Sequence, residues 1–142
     1  MSDRHFSLAG RASLLSAREF ALVAGQVLRA WCLPERRVLG LELAVAEMAT
    51  NVCRHGYVGG SGPIRLDLTW NDDGLRVAVA DQGRRFDPAT VTCPPEPLSG
   101  EPETWPDSGL GLLLIRAAGD GLDYASDADG NVLCLHLRDP LA

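Results

Sequence analysis

Glu47, Asn51 and His55 recur at four-residue intervals in the stretch EMATNVCRHGY, between Glu47 and Tyr57. On a helix advancing ~100° per residue, Asn51 and His55 lie about 40° and 80° round from Glu47, so all three share one stripe. That stripe borders an apolar arc of Leu41, Val45, Met48 and Val52. A carboxylate and a carboxamide at such an edge suit the wall of a cleft, because polar groups leaving water need partners there. A solvated stripe on an ordinary amphipathic helix has the same spacing. Two later segments add to the chemistry. Asp81 in Asp81-Gln82-Gly83 continues the inward face of the alternating run Leu75, Val77, Val79, which puts a hydrogen-bond acceptor at the end of a strand. Gly109-Leu110-Gly111 then opens the apolar run Leu112 to Ile115, and glycines at a helix start leave backbone N–H groups open to phosphate. A plain loop with a glycine pair would look the same in isolation.

In that order and spacing, the three segments resemble the nucleotide-binding boxes of the ATP-binding domain shared by gyrase-type ATPases and sensor histidine kinases, the Bergerat or GHKL superfamily. Within it, the chain is most similar to the short anti-sigma-factor serine kinases of bacterial partner-switching systems. The carrying motifs are E-x-x-x-N-x-x-R-H-x-Y from Glu47 to Tyr57, D-x-G-x-x-F-D-P from Asp81 to Pro88, and G-x-G-L-x-L-I-R from Gly109 to Arg116. The resemblance covers residues 4 to 138 and implies a histidine-kinase-like ATPase fold: α+β, a two-layer sandwich with helices on one face of a mixed or mainly antiparallel sheet. It also implies a set of roles. Asp81 accepts from the adenine amine, and Gly83 lets the backbone pass close to the base. Asn51 helps hold Mg2+ beside the phosphates of ATP, while Gly109, Leu110 and Gly111 cradle those phosphates. Glu47 orients or deprotonates an attacking serine hydroxyl. Implied partners are a sigma factor and a small STAS-like antagonist protein, with a homodimer as the assembly. Arg54 and His55 could tune Glu47 or be purely structural.

Two features depart from the pattern. No basic residue occurs from Phe86 through Ile115, while Glu96, Glu101, Glu103 and Asp107 are acidic. Related kinases often carry Arg or Lys where Asp107 and Leu110 stand, leaving Arg84, Arg85 and Arg116 as substitutes. Asn131 follows Gly130, where the superfamily usually has Thr beside the adenine site. These departures keep open an alternative: a catalytically weak or inactive module that controls its partner by nucleotide-gated binding. A sensor histidine kinase fragment fits less well, since no helix with a phosphoacceptor histidine precedes these boxes.

Composition sets the bounds. The 142 residues match one domain, 1–142, large enough to bury a core. A net charge of −6 argues against direct nucleic-acid binding. All 13 basic residues are Arg, and without Lys neither a Walker A loop nor a eukaryotic-type kinase site can form. Cys32, Cys53, Cys93 and Cys134 are too dispersed for a zinc site or a disulfide framework. No membrane span and no secretion signal are apparent, so a cytoplasmic location is expected.

The elements that must position these residues follow from periodicity. Residues 4–9 suit an edge strand, and Ser13 to Trp31 a first helix. A second helix starts at Pro34 and stops at Gly56 as a C-terminal cap. Ile64 to Trp70 and Leu75 to Asp81 flank Asn71-Asp72-Asp73-Gly74 as a hairpin. A helix at 109–119 precedes a second hairpin, Asp123 to Ser126 with Val132 to Arg138. Residues 88–107, with six of the nine prolines, correspond to the superfamily's ATP lid. His5 and His136 have no catalytic partner nearby in sequence and are expected to be structural or exposed.

Overall fold

The computed structural model describes residues 3–86 and 110–142. The expected lid, together with Gly109 and Cys93, lies outside the described residues. The chain order is strand β1 (Arg4–Arg11), helix α1 (Leu14–Ala30), helix α2 (Glu35–Asn51), a π-helical turn (Val52–Gly56), strands β2 (Pro63–Asn71) and β3 (Gly74–Asp81), helix α3 (Leu110–Ala117), and strands β4 (Gly121–Asp127) and β5 (Gly130–Leu137). The five strands form one sheet in the order β1-β2-β3-β5-β4, and every neighbouring pair is antiparallel. The expectation of a mixed or mainly antiparallel sheet thus resolves to a wholly antiparallel one among the described residues.

Period-2 patterning sets which face the sheet buries. Ile64, Leu66, Leu68 and Trp70 of β2, Leu75, Val77 and Val79 of β3, and Leu135 and Leu137 of β5 point to one side and are buried. Against them lie Leu28 of α1 and Val38, Leu41, Val45 and Met48 of α2, each at most 1% exposed. Each such side chain contributes about 1.5–3 kcal/mol through removal from water. Arg65, Asp67, Thr69, Arg76 and Ala78 alternate onto the opposite face, so α1 and α2 cover one side as a single layer.

The helices start and approach for identifiable reasons. Ser13 caps α1 by accepting from the Ser16 N–H at 2.9 Å, and Ser16 returns the bond to the Ser13 N–H at 2.8 Å, a reciprocal pair that satisfies two exposed donors. Gly25 has no side chain because the Glu42 side chain of α2 occupies that space. Glu42 is held there by Arg29 at 2.8 Å, whose guanidinium also pairs with Glu35 at 2.7 Å.

Both hairpins close through two residues. Gly74 (φ +117°) and Gly130 (φ +140°) take the backbone conformation beyond each turn that side chains rarely adopt. At Gly74 the strain is compounded, because a Cβ would collide with the Leu137 carbonyl oxygen. Gly74→Ala is therefore expected to lower the unfolding free energy by roughly 1–3 kcal/mol, read from urea titration. A variant as stable as the parent would show that the hairpin relaxes freely.

Sequence-based boundaries hold to within two residues for the strands and for α1 and α3. The first strand runs two residues further, because Gly10 and Arg11 continue the ladder opposite Ile64 and Pro63. The second helix does not remain α-helical to Gly56. After Asn51 it widens into the π turn, marked by the Tyr57 N–H bonding the Val52 carbonyl at 3.0 Å. Gly56 is consequently not a left-handed cap: its φ is not positive, and Tyr57 ends the turn at φ −112°.

Candidate nucleotide-binding site

The end of α2, the π turn, the end of β3 and residues of β4 and β5 converge on a narrow cleft. Met48, Val52, Val79 and Leu133 supply apolar walls, with Asn51, Asp81, Arg84, Phe86 and Tyr124 around them. Two of the residues expected from spacing, Asn51 and Asp81, therefore face one space although 30 residues separate them.

Asp81 is the last residue of β3, on the inward face, as the alternation requires. Its Oδ1 accepts from the Gly83 N–H at 2.8 Å and from Asn131 Nδ2 at 2.9 Å. No hydrogen bond engages Oδ2 among the described residues, which leaves one carboxylate oxygen available to an incoming donor. The turn after Asp81 sits hard against the π turn. A Cβ on Gly83 would lie 2.6 Å from the Gly56 carbonyl carbon and oxygen, and one on Gly56 would lie 3.4 Å from Asp81 Oδ1. The Arg84 N–H seals this contact by donating to the Gly56 carbonyl at 2.8 Å. Gly56 thus serves close approach rather than helix termination, and Gly83 is its counterpart across that backbone contact.

Glu47 lies one turn before Asn51 and touches α3. A Cβ on Gly111 would sit 2.5 Å from Glu47 Oε2, so the glycine lets the carboxylate rest against the first turn of that helix. Among the described residues, neither the Glu47 carboxylate nor the Asn51 carboxamide is engaged by a hydrogen bond. Leu110 is the first residue of α3, while Gly109 falls outside the described residues.

His55 is not a third member of the Glu47 and Asn51 stripe. Its ring stacks on Phe86, with centroids 4.1 Å apart and planes within 11°. Partial burial, then the charges of Arg54 and Arg84, push its imidazole below the ordinary histidine range. The neutral ring is the form suited to that stack, which ties the π turn to the segment leading out of the Asp81 turn. Of the two outlying histidines, His136 lies 2.6 Å from Asp123 Oδ2, and His5 lies 3.7 Å from Asp67 Oδ1. Nε2 of His136 makes no well-aligned hydrogen bond despite that short distance. Geometry rather than distance decides such a bond, and the contact lies on the face away from the cleft.

Several contributors escaped sequence reasoning. Tyr57 accepts from the Gln82 N–H at 2.8 Å and donates to the Pro63 carbonyl at 2.7 Å, pinning the Asp81 turn to the start of β2. Tyr124 accepts from the Phe86 N–H at 3.0 Å. Arg85 extends over the Tyr124 ring at 5.9 Å, whereas Arg84 lines the cleft. Position in a motif flagged Tyr57 and Phe86, but nothing local indicated their partners.

Residues 11–137 match the family described as the histidine kinase-like ATPase domain. The chain belongs to that family. This ATPase domain is also similar to serine-protein kinases named RsbW. It is 32% identical over 95 residues to one from Bacillus cereus strain AH187 and 30% identical to one from Bacillus mycoides strain KBAB4. Each alignment covers 66% of the chain and 59% of the relative, so the chain spans less than two thirds of the curated relatives it matches. A solved structure of the RsbU and RsbW domains of a Mycobacterium tuberculosis protein superposes with a TM-score of 0.64 at 19% identity. That match covers 97% of this chain and 32% of the other, and it supports the α+β fold. Among the described residues, no helix is long and apolar enough to cross a membrane.

The cleft suits the group that the family name implies. Its walls are apolar enough for a purine, and Gly56 and Gly83 keep Cβ atoms away from the Asp81 edge. One carboxylate oxygen of Asp81 is unspent there.

Proposed function

We propose that this ATPase domain is an ATP-dependent protein-serine kinase of the anti-sigma-factor type. One observation carries the reading: Asp81 and Asn51 line a single cleft while Glu47, one turn away, rests on the glycine turn of α3. Oδ2 of Asp81 accepts from the adenine amine, and the apolar side chains of Met48, Val52 and Leu133 flank the base. The Asn51 carboxamide oxygen is the protein ligand that would hold Mg2+, a hard cation that offsets phosphate charge and keeps most of its own waters. Gly109, Leu110 and Gly111 are the residues whose backbone N–H groups would meet the phosphates.

Glu47 then orients the serine hydroxyl of a bound antagonist and takes its proton. The new bond joins the serine oxygen to the γ-phosphorus as the bond to the β-phosphate oxygen breaks, releasing ADP. Positioning and charge stabilisation dominate such a step. The same surface system would hold a sigma factor when the antagonist is phosphorylated, since added negative charge repels a packed interface. A homodimer and a cytoplasmic setting complete the reading.

The absence of any basic residue from Phe86 through Ile115 favours a second reading, in which nucleotide binding gates a partner without fast transfer. Titrating Mg-ATP in a calorimeter and following labelled phosphate onto a candidate antagonist separates the two. Binding with transfer to serine supports the kinase, and binding without transfer supports the gate. No adenine nucleotide binding would overturn both.

A further inference from the structure

Asn131 is the buried polar side chain of the described core, 4% exposed, and it sits directly behind Asp81. Strand register places it there: Asn131 is opposite Asp81 on β3 and opposite Ser126 on β4, so all three side chains share one face of adjacent strands. Gly130 makes the register possible, because a Cβ at that position would collide with the Asp81 carbonyl oxygen.

The orientation of the Asn131 amide follows from its partners. Nδ2 lies 2.9 Å from both Asp81 Oδ1 and the Gly83 carbonyl oxygen, which are acceptors only, so the nitrogen must face them. The Ser126 hydroxyl donates to Asn131 Oδ1 at 2.7 Å and holds the amide in that sense. Both amide hydrogens are thereby spent. Neighbouring backbone donors are spent as well: the Gly83 N–H on Asp81, the Gln82 N–H on Tyr57 and the Arg84 N–H on Gly56. What remains on the Asp81 turn is the acceptor Oδ2.

We propose that Asn131, locked by Ser126, is a specificity-determining positioning residue: it turns Asp81 so that one carboxylate oxygen faces the cleft and leaves no free donor on the Asp81 turn, selecting 6-aminopurines against 6-oxopurines. The proposal rests on the nucleotide-binding reading above. A threonine hydroxyl at this position rotates and can donate as well as accept, whereas the locked amide cannot change sense. A 6-oxo group entering here meets Oδ2 acceptor to acceptor, and the locked Asn131 amide cannot turn to relieve it. Such a mismatch in a site built around a hydrogen bond is costly.

Affinities for ADP and inosine diphosphate, measured by calorimetry on the full chain, test this. The parent should prefer ADP by roughly 100-fold or more. Asn131→Thr should narrow that preference by roughly tenfold, the value of about one hydrogen bond. Ser126→Ala, on the more exposed neighbour, should narrow the ratio in the same direction and covers the case in which the Asn131 variant fails to fold. Parallel weakening towards both nucleotides, with the ratio unchanged, would mark the network as merely structural and overturn the proposal. So would a parent that binds the two alike. A parent that binds neither would overturn the nucleotide-binding reading instead.

Discussion

Asp81→Asn is expected to reduce ATP affinity by at least about 100-fold. The reason lies in the two hydrogen bonds that Oδ1 already accepts, from Gly83 N–H and Asn131 Nδ2. An asparagine at position 81 has one acceptor and one donor end. If its oxygen takes those two bonds, its NH2 faces the adenine amine, donor against donor. If it flips, its NH2 faces two donors instead, at comparable cost within a half-buried network. The same logic predicts a smaller loss for inosine triphosphate, whose 6-oxo group accepts from the outward NH2. Calorimetric titration with both nucleotides checks this, and unchanged ATP affinity would remove Asp81 from base recognition. Since the variant keeps the volume of the side chain, its thermal midpoint serves as the control for folding.

The second large effect is expected on transfer rather than on binding. Glu47→Gln should leave ATP affinity within roughly threefold of the parent while phosphorylation of the antagonist serine falls by roughly 10²–10⁴-fold. The carboxamide keeps the shape of Glu47 against Gly111 but cannot take the hydroxyl proton. Gly111→Ala offers an independent route to the same loss. Its methyl group would sit 2.5 Å from Glu47 Oε2, and the flexible carboxylate would swing away rather than strain the helix. Because alanine favours helix over glycine by about 0.5–1 kcal/mol, thermal stability should hold or rise as transfer falls. A Glu47→Gln variant that still phosphorylates at the parent rate would end the assignment of Glu47 as base.

Much of this arrangement was legible in the residue order, because it depends on local chemistry. Alternation through Leu75, Val77 and Val79 put Asp81 on the inward face, and the 3.6-residue period put Glu47 and Asn51 on one stripe beside the apolar arc. Asn71-Asp72-Asp73-Gly74 marked the first hairpin, since a glycine tolerates the positive φ that closes it. The same local logic failed at the end of α2. An unbroken α-helix extrapolates His55 onto the stripe, whereas the π turn carries it to Phe86 instead. Backbone widening of that kind has no periodic signature.

The amino-acid sequence by itself determined the chemical inventory: a carboxylate at the inward end of a strand, a carboxylate and a carboxamide one helical turn apart, glycines where backbones must meet, and no lysine anywhere. It also determined the class of fold, through the order of alternating and helical runs. Only the tertiary structure decided which of these groups are spent and which are free. Asn131 reaches Asp81 across 50 residues, Gly56 seats Gly83 across 27, and Glu47 meets Gly111 across 64. Such pairings arise from strand register and helix packing, which bring distant atoms within hydrogen-bond range, and a hydrogen bond depends on separation and angle in space, not on distance along the chain.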